Sequence, residues 1–226
     1  MEIKKLSETT RGAGTFLIYS GSGSGKTYSL STLPTSETLI INIEHGLRTL
    51  DAICPDMDVA NIETMQDMRD VVKYIPDYKY IALDSVSALA SLSLKEAKAN
   101  TKDGRQAYMA MADQVENIVN YFVKLPQAVI LIAQEGRVNA EEAGLFDYTY
   151  CPELPGKKFA ASLPFLVDFV WALRVKQAET ENGNVTERRF QTGMDGSGDY
   201  LAKSRSQAFN IFEEPNWKNI FSKLNK

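Results

Sequence analysis

Residues 20–27 read Ser20-Gly-Ser-Gly-Ser-Gly-Lys-Thr27, between an apolar run, Thr15-Phe-Leu-Ile-Tyr19, and the helix-compatible segment Tyr28-Ser-Leu30. Glycines at 21, 23 and 25 let the backbone curl with its N–H groups pointing inward at the start of a helix, so an anionic phosphate can sit there with no side chain intervening. Lys26 is then placed for β- and γ-phosphates, and the Thr27 hydroxyl for Mg2+. The phosphate-loop pattern G-x-x-x-x-G-K-[ST] is met except at its first place, where Ser20 stands for Gly, a change that touches the loop's opening geometry and not its phosphate chemistry. The expected nucleotide-binding residues are therefore Gly21, Ser22, Gly23, Ser24, Gly25, Lys26 and Thr27. A flexible Gly/Ser turn is the plain alternative, and the order strand, loop, lysine, helix argues against it.

The rest of the chain supports such a loop. Apolar runs at Thr15–Tyr19, Thr38–Ile43, Tyr80–Leu83 and Ala128–Ala133 alternate with amphipathic stretches, the pattern of strands and crossover helices in a parallel sheet. Met65, Met68, Val71, Val72 and Ile75 fall at helical spacing, and Ala88–Lys124 reads as two helices joined by the polar Asn100-Thr-Lys-Asp-Gly104. From Glu135 to Lys158 the sequence is rich in Gly, Glu, Pro and Tyr with little periodicity, which predicts a long functional loop. Leu166–Val175, Val185–Thr192 and Tyr200–Ser204 read as strands, with Glu181-Asn-Gly-Asn184 as a hairpin turn and Trp217–Leu224 as a closing helix. The expectation is an α/β fold and a single domain over 1–226, with a mostly parallel central sheet flanked by helices and a C-terminal antiparallel extension.

Composition excludes several function classes. At 226 residues and 44% hydrophobic content the chain can bury a core without a disulfide or metal, and it is too apolar for disorder. Cys54 and Cys151, far apart, read as reduced thiols. The start of the chain lacks the apolar core of a secretory leader, and the greasiest run, Phe159–Leu173, is cut by Asp168 and too short to span a bilayer. A single histidine, His45, leaves no His-rich metal site, and a net charge of −4 argues against coating nucleic acid by bulk charge while leaving local basic loops possible.

Hydrolysis needs more than a phosphate loop. Asp84, ending the third apolar run, either orients Mg2+ and its waters, caps the following helix, or does both. Glu44, ending the second, is either a general base for the attacking water or a carboxylate at a helix N-terminus. Gln134 follows the fourth run, where an amide can report a γ-phosphate to the loop beginning at Glu135, or simply close a strand. Lys203 and Arg205 alternate on one strand and so share a side, as a solvated edge or as charges aimed at a neighbour's nucleotide.

Together these segments resemble the RecA superfamily of P-loop ATPases, and more narrowly the short RecA-like ATPases of bacteriophages assigned to single-strand annealing and recombination. Ile43-Glu-His-Gly-Leu47 is similar to the segment carrying RecA's catalytic glutamate, Leu83-Asp-Ser-Val-Ser-Ala-Leu89 to the second Walker motif, and Lys203-Ser-Arg205 to the K-x-R pair that hexameric helicases of this superfamily extend across a subunit interface. Weaker likenesses to the phage type lie in Leu154-Pro-Gly-Lys157, the strand around Phe169 and Ala202–Ser206. The resemblance implies a RecA-like core and an ATPase using ATP and Mg2+, with Lys26, Glu44, Asp84, Gln134, Lys203 and Arg205 as its catalytic set and Thr27 and Asp84 on the metal. It also implies ATP between the subunits of a ring or filament, and a cytoplasmic location, the interior of a bacterial host cell if the chain is phage-encoded. Single-stranded DNA would lie against two loops. One carries Lys95, Lys98, Lys102 and Arg105 near Tyr108; the other carries Arg137, Lys157 and Lys158 with Phe146, Tyr148, Tyr150 and Phe159, among Glu135, Glu141, Glu142, Asp147 and Glu153. A single-strand-binding protein is a further expected partner. The alternatives are a hexameric-helicase-like motor or loader, and a nucleotide-responsive protein-binding ATPase that makes no DNA contact.

Overall fold

The computed structural model describes residues 12–138, 148–154, 157–180 and 183–224. Its sheet has the spatial order β10-β8-β7-β1-β5-β4-β2-β3. The strands are β1 (Thr15–Ser20), β2 (Thr38–Asn42), β3 (Asp58–Asn61), β4 (Tyr80–Asp84), β5 (Ala128–Arg137), β6 (Tyr150–Glu153), β7 (Phe169–Thr180), β8 (Gly183–Gln191), β9 (Lys203–Ser204) and β10 (Phe212–Glu213). Those from β7 to β3 in that order are mutually parallel, while β6, β8, β9 and β10 join antiparallel. The helices are α1 (Lys26–Ser29), α2 (Arg48–Asp51), α3 (Met65–Val71), α4 (Val86–Asn100), α5 (Gly104–Val123), α6 (Lys157–Leu166) and α7 (Trp217–Leu224). This is the expected α/β fold, a mostly parallel central sheet flanked by helices with an antiparallel C-terminal extension. The Asp84 strand lies one place beyond β5 from the loop-bearing β1.

Strand alternation explains the layers. Along β1, Leu17 and Tyr19 join the core under α3, α4 and α5, while Phe16 and Ile18 join the opposite core under α1 and α7. Both faces of the central strands are buried, as in a helix-covered parallel sheet. The second core is aromatic: Phe16 stacks on Phe169 and meets Trp171, Trp217 and Phe221 edge-on. Trp217 also bonds Ser29 and Thr32, which ties α7 to the short helix following the phosphate loop.

Several expectations shift. Part of the segment 135–158 is a hairpin stem, because β5 runs on to Arg137 and β6 returns against it over Tyr150–Glu153. Residues 139–147, with Phe146, Glu141, Glu142 and Asp147, lie outside the described residues, as do Pro155 and Gly156. Leu166 ends a helix instead of starting a strand, since the apolar run before Phe169 places Leu163 in the core under α5. The Tyr200–Ser204 strand shrinks to β9 plus a bridge at Tyr200. Glu181 and Asn182 of the expected turn lie outside the described residues, while Gly183 pairs with Thr180 beside them.

Candidate nucleotide site

After β1 and β5 the chain leaves in opposite lateral directions, β1 toward β2 and β5 toward β7, so their C-terminal ends open a crevice of the kind that binds ligands in open α/β sheets. The phosphate loop fills it. Gly25 stands at φ 105°, a left-handed conformation that a side chain would strain, and α1 begins there with no side chain capping its N–H groups. Lys26 Nζ folds back over the loop and donates to the carbonyls of Ser20 at 2.7 Å and Gly21 at 3.0 Å. The Ser20 and Ser24 hydroxyls bond each other across the loop's base, so the serine at the first motif position closes the turn by a side-chain contact.

Thr27 Oγ1 donates to Asp84 Oδ2 at 2.7 Å, which joins the two expected metal ligands. Burial holds the Asp84 carboxyl above the ordinary carboxylate range against the opposing Thr27 bond, and Glu44 adds to the rise. Burial likewise lowers the Lys26 ammonium, although Glu44, Asp84 and Glu135 all favour its charge. Asp84 does not cap α4; that role belongs to Ser85, whose hydroxyl accepts from the Ala88 amide.

The same Ser85 hydroxyl donates to Glu44 Oε1, which also accepts from Gln134 Nε2 at 3.4 Å. Glu44 leaves β2 through a tight turn in which His45 adopts φ 55° and donates its amide to Asn42 Oδ1; Asn42 is in turn held by Asn61 on β3. His45 serves here through its backbone. Ser87 accepts from the Gln134 amide at 3.0 Å and donates to the Glu153 carbonyl at 2.8 Å, binding the end of β5 to β6. Lys26, Thr27, Glu44, Asp84 and Gln134, five residues from four separate segments, thus line one cavity of about 600 Å³ together with Glu135 and Arg188.

A phosphate loop, a hydroxyl paired with a carboxylate, and a second carboxylate beside an amide fit a magnesium nucleotide. No cluster of three or more His, Cys, Asp or Glu could hold a metal among the described residues, and Mg2+ on such a loop needs none, because phosphate and water supply most of its oxygens.

Lys203 and Arg205 are not part of this site. Arg205 Nη1 pairs with Asp168 Oδ1 at 3.2 Å and Nη2 donates to the Phe165 carbonyl at 2.7 Å, while Asp168 Oδ2 accepts from the Thr15 amide. Thr15 begins β1, so Arg205 lies about 17 Å along the strand from the loop that follows Ser20. Lys203 pairs with Val170, midway along. Lys98, Lys102 and Arg105 are exposed around the α4–α5 turn, with Lys98 over the Tyr108 ring. Arg137 is exposed on the hairpin stem, and Lys157 and Lys158 fall in the first turn of α6.

A family model described as an AAA domain matches residues 13–206, and the chain belongs to that family. No curated protein matches it. Among solved structures it is similar to a KaiC-like protein from the hyperthermophilic archaeon Pyrococcus horikoshii, at 12% identity and a TM-score of 0.49, over 88% of this chain and 84% of that one. Membership of the AAA family is a level that carries nothing about annealing, recombination or a bacteriophage source. No helix among the described residues is long and apolar enough to cross a membrane.

Proposed function

We propose that this AAA-domain chain hydrolyses ATP to ADP and phosphate at its P-loop and couples the nucleotide state to single-stranded DNA in annealing or recombination of the phage type. One juxtaposition carries the reading. Glu44 and Gln134 are hydrogen-bonded to each other beside Lys26 and the Thr27–Asp84 pair, at the open end of the sheet.

Lys26 exchanges its loop carbonyls for phosphate oxygens. Thr27 and Asp84 hold Mg2+, which supplies positive charge to the phosphates when bound. Glu44, oriented by Ser85, takes a proton from the attacking water as its oxygen bonds phosphorus and the bond to the ADP oxygen breaks. Gln134 exchanges its Glu44 contact for the nucleotide and transmits the change along β5 into the β5–β6 hairpin. The root of that hairpin is stiff: Arg137 lies over Tyr150, Tyr150 stacks on Tyr200, and Arg174 covers Tyr200. Arg137, Lys157 and Lys158 on this side, and Lys98, Lys102 and Arg105 at the α4–α5 turn, contact the DNA backbone. In a homo-oligomeric ring or filament, Lys203 and Arg205 face a neighbouring subunit's nucleotide, and a single-strand-binding protein delivers the DNA.

A second reading, a nucleotide-responsive protein binder, is favoured by one observation. A cavity of about 890 Å³ shares Glu44 and Gln134 with the nucleotide site and adds Glu63 and Glu153 against a single lysine, Lys95. That charge balance repels a phosphate backbone and suits a basic protein segment.

Steady-state ATP hydrolysis with single-stranded DNA, duplex DNA and no DNA, beside Lys26→Ala, tests both readings. Stimulation by single strands alone is expected. Hydrolysis indifferent to DNA overturns the DNA half and favours the protein binder, and a Lys26→Ala variant working at the parental rate overturns the ATPase assignment.

A further inference from the structure

Arg188 lies on β8, two residues before Phe190, so both side chains project to the same face of the sheet. Phe190 is buried in the aromatic core beneath α1 and α7, and Arg188 is thereby carried over the start of α1. Its Nε donates to the Ser24 carbonyl at 2.8 Å. It lies so close to the loop that a side chain on Gly25 would put Cβ 3.2 Å from Nε and 3.3 Å from Cδ. Arg188 makes no ion pair among the described residues, although the cavity it lines holds Glu44, Asp84 and Glu135. A guanidinium held by one nitrogen keeps its charge and its other donors for a ligand. Among the described residues that line the cavity, the cations are Lys26 and Arg188, against three carboxylates, before any polyphosphate enters.

We infer that Arg188 is a second nucleotide-binding cation supplied by the same subunit, fixing the loop through Ser24 and placing its charge beside the polyphosphate. The inference rests on the reading of the loop as a nucleotide site, and it differs from a cation supplied across an interface. An arginine suits the task better than lysine, because one nitrogen can hold the loop while the others face an anion.

The test is equilibrium binding of a fluorescent ADP, with ATP, ADP and AMP as competitors, to the full chain and to Arg188→Ala, Arg188→Gln, Arg188→Lys and Lys26→Ala, with melting of each protein without nucleotide. Arg188→Ala is expected to weaken ATP and ADP at least about tenfold and AMP less, because the loss follows the phosphates. Arg188→Lys should recover part of the loss. Arg188→Gln, which keeps a donor for Ser24 without charge, should recover less, and all should melt near the parent. ATP and ADP binding within twofold of the parent in Arg188→Ala overturns the inference, as does an equal loss for all three nucleotides accompanied by a lower melting temperature. If Lys26→Ala loses binding while Arg188→Ala keeps it, only the Arg188 role falls; a folded parent that binds no nucleotide sinks the nucleotide reading and this inference with it.

Discussion

At the N-terminal end of β1 the charged groups are matched: Asp168 accepts from the Thr15 amide and from Arg205, and Arg205 also closes on the Phe165 carbonyl. At the C-terminal end, five residues farther on, two cations and three carboxylates line a cavity, and among the described residues none of the five forms a salt bridge within it. There Lys26 is lowered and Asp84 raised by burial. Charge with its partner inside the chain holds strands in register; charge left facing a cleft and pushed toward neutrality is available to a ligand. The two ends of one strand therefore separate structural from chemical polarity, although both carry Asp and Arg.

The contrast breaks most visibly at the chemical end. Replacing Glu44 by Gln, which keeps its shape and loses its basicity, is expected to cut the turnover rate roughly 100-fold or more while ATP binding persists. A rate within a few-fold of the parent removes Glu44 from the chemistry.

Asp84→Asn should lose Mg2+-dependent hydrolysis and yet melt higher than the parent without nucleotide. The folded-state pKa of Asp84 lies above its unfolded value, so the folded protein holds this proton more tightly. Stability associated with the group is then greatest in acid and falls as pH rises from the ordinary carboxylate range through the raised value. An Asn escapes that loss, so the gain should be present at neutral pH, shrink toward acid, and amount to about 2–4 °C for each kcal/mol recovered. A variant that melts lower at neutral pH contradicts the sign.

The structural end should respond in the opposite sense. Asp168→Ala leaves the Thr15 amide and Arg205 without their acceptor and is expected to cost about 1–3 kcal/mol in denaturant unfolding, with ADP affinity unchanged. A change in ADP affinity there would mean that the two ends are not separate.

Arg205→Ala is the smallest stability change, about 0.2–1 kcal/mol, because this pair is half-exposed on its arginine side. Its value lies in hydrolysis: reduced turnover with intact nucleotide binding and near-parental melting supports a role at a neighbour's nucleotide, whereas unchanged turnover leaves Arg205 with its structural task alone.

The residues legible in the sequence share one property. Lys26, Glu44, Asp84 and Gln134 each stand within two residues of the end of a strand's buried apolar part or open the helix after one, so an apolar run locates them. β3 was missed because it is an edge strand, with Asp58, Val59 and Asn61 exposed and no apolar run to announce it. β6 was missed because its pairing depends on β5 running beyond its apolar core. Ser85 and Arg188 had faint signals. A Ser follows Asp84 at a helix start, a common capping position, and Glu187-Arg-Arg-Phe190 offers two arginines of which the alternation with Phe190 selects the first.

The sequence by itself determined the phosphate loop, the α/β class and the strand ends that carry the carboxylates. Each of these depends on local matters: glycine's freedom at positive φ, the period of apolar residues, and the residue types that end a strand. Only the tertiary structure decided that Glu44 meets Ser85 and Gln134, that Arg188 rests on the phosphate loop, and that Arg205 is tied to the far end of β1. Those pairings follow from the lateral order and register of strands distant in sequence, which one segment's composition does not encode because they are set by packing two cores on opposite faces of a single sheet.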